Sequence, residues 1–107
     1  GLIDWTADAD RIARLVRACQ PWPGTYTRWR GKLLKIIEAS AAAGQGPLTS
    51  SPGEVVAMGD RGLGVTTARG VLKLHRLQLE GRQVADAGEF RVGYTELVGA
   101  VLGSEAP

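Results

Sequence analysis

The chain has 107 residues, of which 44% are hydrophobic and 22% are charged, and its formal net charge is +2. This length fits one domain, so we expect residues 1–107 to form a single domain with one apolar core. The apolar stretches are too short to span a membrane, and no secretory signal is recognisable. A single cysteine, Cys19, excludes an intrachain disulfide, and one cysteine with one histidine cannot build a typical structural zinc site.

Basic residues are concentrated in the first third of the chain. Seven lysines and arginines, and no acidic residue, lie between Arg11 and Lys35, with Trp22, Tyr26 and Trp29 interleaved among them. Cationic side chains contact phosphates and aromatic rings stack on bases, so this mixture favours an RNA-binding surface if the cations share one face. The alternative is a solvated basic face with the aromatic residues in the core, where Tyr26 and Trp29 would both fit.

The first predicted element is a helix over residues 7–20, with Thr6 as its N-cap. Its buried stripe is expected to consist of the apolar residues at helical spacing, Ile12, Leu15, Val16 and Cys19. Pro21 cannot continue the helix, and Pro23 with Gly24 predicts a turn. We expect Trp22 to be a packing anchor at this corner rather than a residue that stacks on RNA.

Five short strands are predicted after this turn. Their approximate bounds are 25–29, 32–39, 54–58, 63–68 and 71–79. Arg30-Gly31 predicts a hairpin turn, and residues 40–52 predict a loop without chemistry. In the last strand Leu72 and Leu74 have one parity while Leu77 and Leu79 have the other, which predicts a bulge or a change of buried face near His75.

The end of the chain is predicted to combine a short helix over residues 85–91 with an apolar segment, 94–102, that packs back on the body. The sum is one N-terminal helix, five short strands and a helical or irregular tail. Short strands separated by turns at this spacing are typical of a small closed or nearly closed barrel, so we expect a mainly β fold with some α.

No catalytic constellation is recognisable in the sequence. His75 is the only histidine and has no triad context, and Cys19 lies on the expected apolar stripe, where core packing is its expected role. The carboxylates are scattered through loops and helix starts, so no pair stands out as a general acid and base. The glycines at 59, 62 and 64 are typical of turns and do not match a dinucleotide-binding motif. The chain by itself is therefore not expected to be an enzyme.

Residues 17–29, with the sequence RACQPWPGTYTRW, resemble the C-terminal domain of methionyl-tRNA formyltransferases. That family has a helix ending in Arg-Ala, then Asn-Pro-Trp-Pro-Gly and a strand containing an aromatic residue. The resemblance continues at residues 1–6, 31–36, 52–55, 70–74, 77–82 and 90–93. Gln20 replaces the usual Asn, the loop 40–52 has no recognisable counterpart in the family, and the tail 94–107 follows the family's closing pattern less clearly.

The resemblance implies an open β-barrel similar to an oligonucleotide-binding fold. It also implies a parent enzyme that transfers a formyl group from 10-formyltetrahydrofolate to the amino group of initiator methionyl-tRNA. The family's catalytic residues and folate site lie in an N-terminal Rossmann-like domain that nothing here matches, so no catalytic residue, metal or cofactor is expected in this chain. The implied partners are the initiator tRNA and that catalytic domain, in a monomeric cytoplasmic protein without a membrane association.

In the family, the barrel contributes a basic surface to the tRNA channel. The resemblance places Arg17, Lys32, Lys35, Lys73 and Arg82 at such positions, and the local charge pattern adds further candidates. The predicted tRNA-binding residues are Arg14, Arg17, Arg28, Arg30, Lys32, Lys35, Lys73 and Arg82. The alternative is a structural or interaction barrel of a related formyltransferase that acts on another substrate, without contact to nucleic acid.

Overall fold

A computed structural model describes residues 1–42 and 51–103 of the chain. Two α-helices and six strands follow one another in these ranges, with a 3-10 turn, Thr95–Leu97, near the end. The helices are α1 (Ala9–Ala18) and α2 (Ala87–Gly93). The strands are β1 (Thr25–Trp29), β2 (Lys32–Ala41), β3 (Val55–Met58), β4 (Gly62–Thr66), β5 (Val71–Leu79) and β6 (Ala85–Asp86). Most of the predicted loop, residues 43–50, lies outside the described residues.

The strands form one antiparallel sheet in the order β1-β2-β5-β4-β3, and β6 pairs with β5. The two edges of this sheet are connected by the end of the described chain. Leu102 N donates to Gly53 O (2.7 Å) beside β3, and Gly103 N donates to Arg28 O (2.9 Å) on β1. This arrangement confirms the prediction of a mainly β fold that resembles a small open barrel, with one helix before it.

The hairpin between β1 and β2 is as tight as the sequence predicts. Arg30 and Gly31 have φ angles of 54° and 77°, and Trp29 pairs with Lys32 across the turn. Positive φ at both central positions is the signature of a type I′ turn, whose twist matches that of antiparallel strands. The turn therefore fixes the register of β1 against β2, in which Tyr26 lies opposite Lys35.

A change of buried face occurs near His75, as the leucine parity in β5 predicts. His75 and Arg76 both lie outside the core between buried Leu74 and Leu77. The facing strand β2 shows matching register shifts on both sides of Glu38. Each strand carries one extra residue here, which shifts the alternation of its side chains between the two faces of the sheet. All four leucines of β5 therefore lie on the inner side of the sheet.

Helix α1 differs from its prediction in start and in orientation. It begins at Ala9 with Asp8 at the N-cap position, so the assignment of Thr6 as the cap is wrong. Its buried face consists of Ala9, Ile12, Ala13 and Val16. Leu15 is 38% exposed and Cys19 is half-buried, so neither belongs to the buried stripe as predicted. Sequence periodicity alone missed the small residues, because alanines contribute weakly to an apolar pattern but allow the helix to approach the sheet closely.

Thr6 instead holds a carboxylate at the entrance to α1. Its hydroxyl and its backbone N–H both donate to Asp4 Oδ1, at 2.6 and 3.0 Å. The side-chain hydrogen bond, then the backbone one, lowers the pKa of Asp4, and the charge of Arg11 adds to this effect.

We expect Thr6→Val to raise the pKa of Asp4 toward its ordinary value, because the variant removes the hydroxyl donor and keeps the backbone N–H. A lowered carboxyl pKa stabilises the fold above the pKa of the unfolded chain, and this contribution is lost as pH falls through the folded value. NMR titration of the Asp4 carboxyl in both proteins measures the shift, and Thr6→Ser, which keeps the hydroxyl, is the control. An unchanged pKa in Thr6→Val would contradict the assigned cause.

The core lies between the inner side of the sheet, α1, α2 and the end of the described chain. Ile12 and Val16 of α1 belong to the same buried cluster as Leu34, Ile36 and Leu72 of the sheet. Near the other helix, the rings of Trp29, Phe90 and Tyr94 pack together with centroid distances of 4.5 to 6.5 Å. Leu97 and Leu102 are buried, which confirms that segment 94–102 packs back on the body.

Candidate nucleic-acid interface

Three of the predicted tRNA-binding residues share the outer side of the sheet. Arg28, Lys35 and Lys73 are exposed, while their strand neighbours point into the core. Since strand side chains alternate between the two faces, these three cations project away from the core on one surface. We call this surface the outer sheet face, defined by Arg28, Lys35, Lys73 and a fourth cation, Arg76.

The pairing register places these cations across three adjacent strands. Lys35 lies opposite Tyr26 on β1 and opposite Gln78 on β5, and Arg28 is two residues from Tyr26 on the same face. Gln78 marks the level of Lys35 on β5, and Lys73 lies five residues from Gln78 along that strand. The two lysines are therefore separated along the strand direction by roughly 17 Å. The outer sheet face therefore presents cations over a distance that several successive phosphates of a nucleic acid can contact.

Arg76 reaches this surface because of the irregularity in β5, and the charge pattern of the first third of the chain did not include it. In an uninterrupted strand, Arg76 would have the parity of buried Leu74 and Leu72. The parity change among the leucines of β5 was the signal that could have identified it. Its partner in the register is Glu38, an exposed acidic residue beside the same surface, so the field of Arg76 is partly offset there.

His75 lies on this same surface and is hydrogen-bonded to Ser40. The distance from Ser40 Oγ to His75 Nε2 is 2.7 Å, and Ser40 pairs with Lys73 in the register. Both residues are half-buried on an open sheet face. His75 is thus a strand histidine at the surface, hydrogen-bonded to a serine of the neighbouring strand. Within residues 1–42 and 51–103, no group of three or more His, Cys, Asp or Glu residues could hold a metal ion.

Lys32 and Arg30 lie at the hairpin end of β1 and β2, away from the centre of the outer sheet face. Lys32 pairs with buried Trp29 and is three residues from Lys35, so these two lysines have opposite parity. Arg30 forms an ion pair with Glu96 (2.9 Å), and its guanidinium carbon lies 4.8 Å from the centre of the Trp29 ring. Arg30 therefore has structural partners, and its ion pair connects the hairpin to the 3-10 turn Thr95–Leu97.

The remaining candidates occupy two further places. Arg14 and Arg17 are exposed on α1, whose buried side packs on the inner side of the sheet, so they form a second basic surface. Arg17 is in the last turn of the helix, where a cation interacts favourably with the helix dipole. Arg82 is exposed in the turn after β5, where its carbonyl accepts a hydrogen bond from Gln78 Nε2 (2.8 Å). The structure thus distributes the eight candidates over the sheet, the hairpin, the helix and this turn.

The aromatic residues among these cations have three different environments. Trp29 is a core residue, with 6% of its surface exposed, and Tyr26 is half-buried beside Lys35. Trp22 is 83% exposed, so the prediction that it anchors the corner after α1 is wrong. The corner is held instead by hydrogen bonds from Gly24 N to Cys19 O (2.8 Å) and from the Gln20 side chain to Ile36 O (3.4 Å).

In the part of the chain that the structure describes, no helix is long and apolar enough to cross a bilayer. The fold and its surface define a small, mainly β domain with an exposed basic sheet face and a second basic surface on its helix.

The model of the formyl transferase C-terminal domain matches residues 1–95, and the chain belongs to this family. It is 44% identical over 103 residues to the methionyl-tRNA formyltransferase of Geotalea daltonii, a match that covers 96% of this chain and 32% of that protein. It is also 44% identical over 104 residues to the methionyl-tRNA formyltransferase of Gluconacetobacter diazotrophicus, covering 97% and 32%. The protein of the same name from Magnetococcus marinus is 37% identical over 103 residues. The chain spans about a third of the length of these curated relatives.

Proposed function

We propose that this chain is the tRNA-binding accessory domain of a methionyl-tRNA formyltransferase and that it holds tRNA against its outer sheet face. The parent enzyme would transfer the formyl group of 10-formyltetrahydrofolate to the amino group of initiator methionyl-tRNA, in the cytoplasm and as a monomer. The catalytic residues and the folate site would belong to an N-terminal domain of the same polypeptide. The role of the present chain is then to bind and orient the tRNA, without a cofactor of its own.

The observation that carries the proposal is the common face of Arg28, Lys35 and Lys73. Cations on one face can contact successive phosphates, and each contact releases counterions, so affinity rises with the number of cations that reach the backbone together. Phosphate contacts of this kind position a nucleic acid without reading its sequence. The names of the relatives favour tRNA as the bound molecule, because these proteins are methionyl-tRNA formyltransferases.

We expect the chain to bind initiator tRNA with an affinity that falls steeply as salt is added. With three or four phosphate contacts, the slope of log K against log salt should be about −2 to −4. Filter binding at several salt concentrations measures this slope. Chemically acetylated chain, in which lysine charges are removed, is the control. The affinity of the isolated chain is expected to be modest, because a second contact surface on the catalytic domain would act together with it.

The competing hypothesis is a structural barrel of a related formyltransferase that acts on another acceptor. It predicts that tRNA fails to bind even at low salt and high protein concentration. It also predicts that the basic surfaces contact another protein domain. A measured affinity without any salt dependence would contradict the proposed phosphate contacts as well, because it would show that binding does not depend on the cations of the outer sheet face.

A further inference from the structure

Trp22 is exposed in a way that the other two tryptophans are not. Trp5 and Trp29 are exposed by only 5% and 6%, whereas 83% of the surface of Trp22 is accessible. Single apolar residues are common on protein surfaces and need no special explanation. Trp22 differs from an ordinary surface residue in how its backbone is held and in which side chains flank it.

The turn that carries Trp22 is constrained on both sides. Pro21 and Pro23 fix their own φ angles and flank the tryptophan directly. The turn is closed by the hydrogen bond from Gly24 N to Cys19 O (2.8 Å), and the side chain of Gln20 donates to Ile36 O on β2 (3.4 Å). A ring presented by such a backbone loses little conformational entropy when it binds a partner. A contact to Trp22 therefore contributes more to the free energy of binding than the same contact to a mobile ring.

The same turn connects the two basic surfaces. It begins after Arg17, in the last turn of α1, and leads into Tyr26 and Arg28 of β1, whose outer side carries Lys35 as a neighbour. The sequence from Arg11 to Lys35 contains no acidic residue. The next acidic residue in the sequence, Glu38, lies on β2 beyond the residues that pair with β1. A polyanion that follows the chain from the helix surface to the outer sheet face would pass this turn.

We propose that Trp22 stacks on an unpaired nucleobase of the RNA that these cations hold. This inference rests on the proposed RNA binding and adds to it that the bound RNA is single-stranded where it passes the turn. Stacking of a base on an aromatic ring is tolerant of sequence, because every base has a π face, and it requires a base that is not paired in a helix. The charge of the flanking surfaces selects a polyanion over an apolar protein surface as the occupant.

The test compares a short single-stranded oligoadenylate with a duplex RNA of the same length, using the intrinsic tryptophan fluorescence of the chain. We expect the single strand to quench the exposed tryptophan emission, and Trp22→Phe to remove this signal. Trp22→Ala should weaken binding of the single strand roughly 10- to 100-fold, in line with the usual effect of removing one stacked ring. Binding of the duplex should be unchanged. Val92→Ala, which removes an exposed apolar side chain from α2, is the control and should leave both affinities unchanged.

Three other outcomes would overturn the stacking role. If both RNAs bind with salt dependence and Trp22→Ala changes neither affinity, the stacking is absent while the proposed function stands. If neither RNA binds at low salt, the proposed function fails together with it. If Trp22→Ala leaves RNA binding intact but weakens association with the catalytic domain of a methionyl-tRNA formyltransferase, the partner of Trp22 is a protein surface.

Discussion

Replacing Lys35 and Lys73 together with glutamate is expected to weaken tRNA binding on the order of 100-fold at low salt. Two cations are lost from the outer sheet face, and two anions then repel the phosphates at the same positions. A unit charge at about 4 Å contributes about 1 kcal/mol in water, so four unit changes, partly relaxed, give an effect of this size. The slope of log K against log salt should also decrease in magnitude by about 2.

The matched control is Lys32→Glu with Arg61→Glu, which makes the same change in net charge elsewhere. Lys32 lies in the same strand as Lys35 but with opposite parity, and Arg61 is exposed in the turn between β3 and β4, at the far edge of the sheet. We expect this variant to bind several times more tightly than the first. Equal losses in both variants would show that only the overall charge matters, and the outer sheet face would no longer be a distinct site. Circular dichroism and thermal unfolding confirm that each variant is folded.

The largest expected effect on stability is that of Leu34→Ala. Leu34 has no exposed surface, and it faces the core between Thr27 on β1 and Leu79 on β5. Truncating a fully buried leucine costs the free energy of transfer of the lost methyl groups and leaves a cavity, which together amount to about 2–5 kcal/mol. For a domain of this size, such a loss should lower Tm by at least about 10 °C.

Leu15→Ala tests the orientation of α1 with the same chemical change. The stripe expected from the sequence would make Leu15 as costly to truncate as a core residue, whereas the structure leaves 38% of it exposed. We therefore expect a loss below about 1 kcal/mol, since a surface substitution in a helix changes the free energy of unfolding little. Denaturant unfolding of both variants gives the two values directly. A loss of stability from Leu15→Ala as large as that from Leu34→Ala would contradict the orientation of α1, in which Leu15 is partly exposed.

Local patterns predicted most of the secondary structure, and they failed where packing chose between equivalent positions. The hairpin turn at Arg30-Gly31 and the irregularity near His75 follow from short-range rules of turn chemistry and strand parity. The start of α1 and its buried face do not, because several residues satisfy the helical period and contact with the sheet decides among them. Asp8, Thr6 and Asp4 are all residue types found at caps, but the helix begins after Asp8, whose backbone bridges to Arg69, while Thr6 is hydrogen-bonded to Asp4.

The candidate interface was predictable in composition and not in geometry. Charge counting found the basic run, and the family resemblance added Lys73 and Arg82. The alternation of a strand already implies that Lys32 and Lys35 face opposite sides, since their spacing is odd. Arg76 was missed because its exposure depends on a register shift. The exposed position of Trp22 was missed because a tryptophan between two prolines at a corner is compatible with both a packed and a solvent-facing ring.

The sequence by itself determined the family, the succession of elements and the excess of cations in the first third of the chain, because these depend on residue types and their spacing. Only the tertiary structure decided which cations meet on one surface. That outcome depends on strand order, on the pairing register and on the side of the sheet that α1 covers, all of which are set by contacts between residues far apart in the chain. The same long-range packing buries Trp29 and leaves Trp22 in solvent, although the two rings are seven positions apart in the sequence.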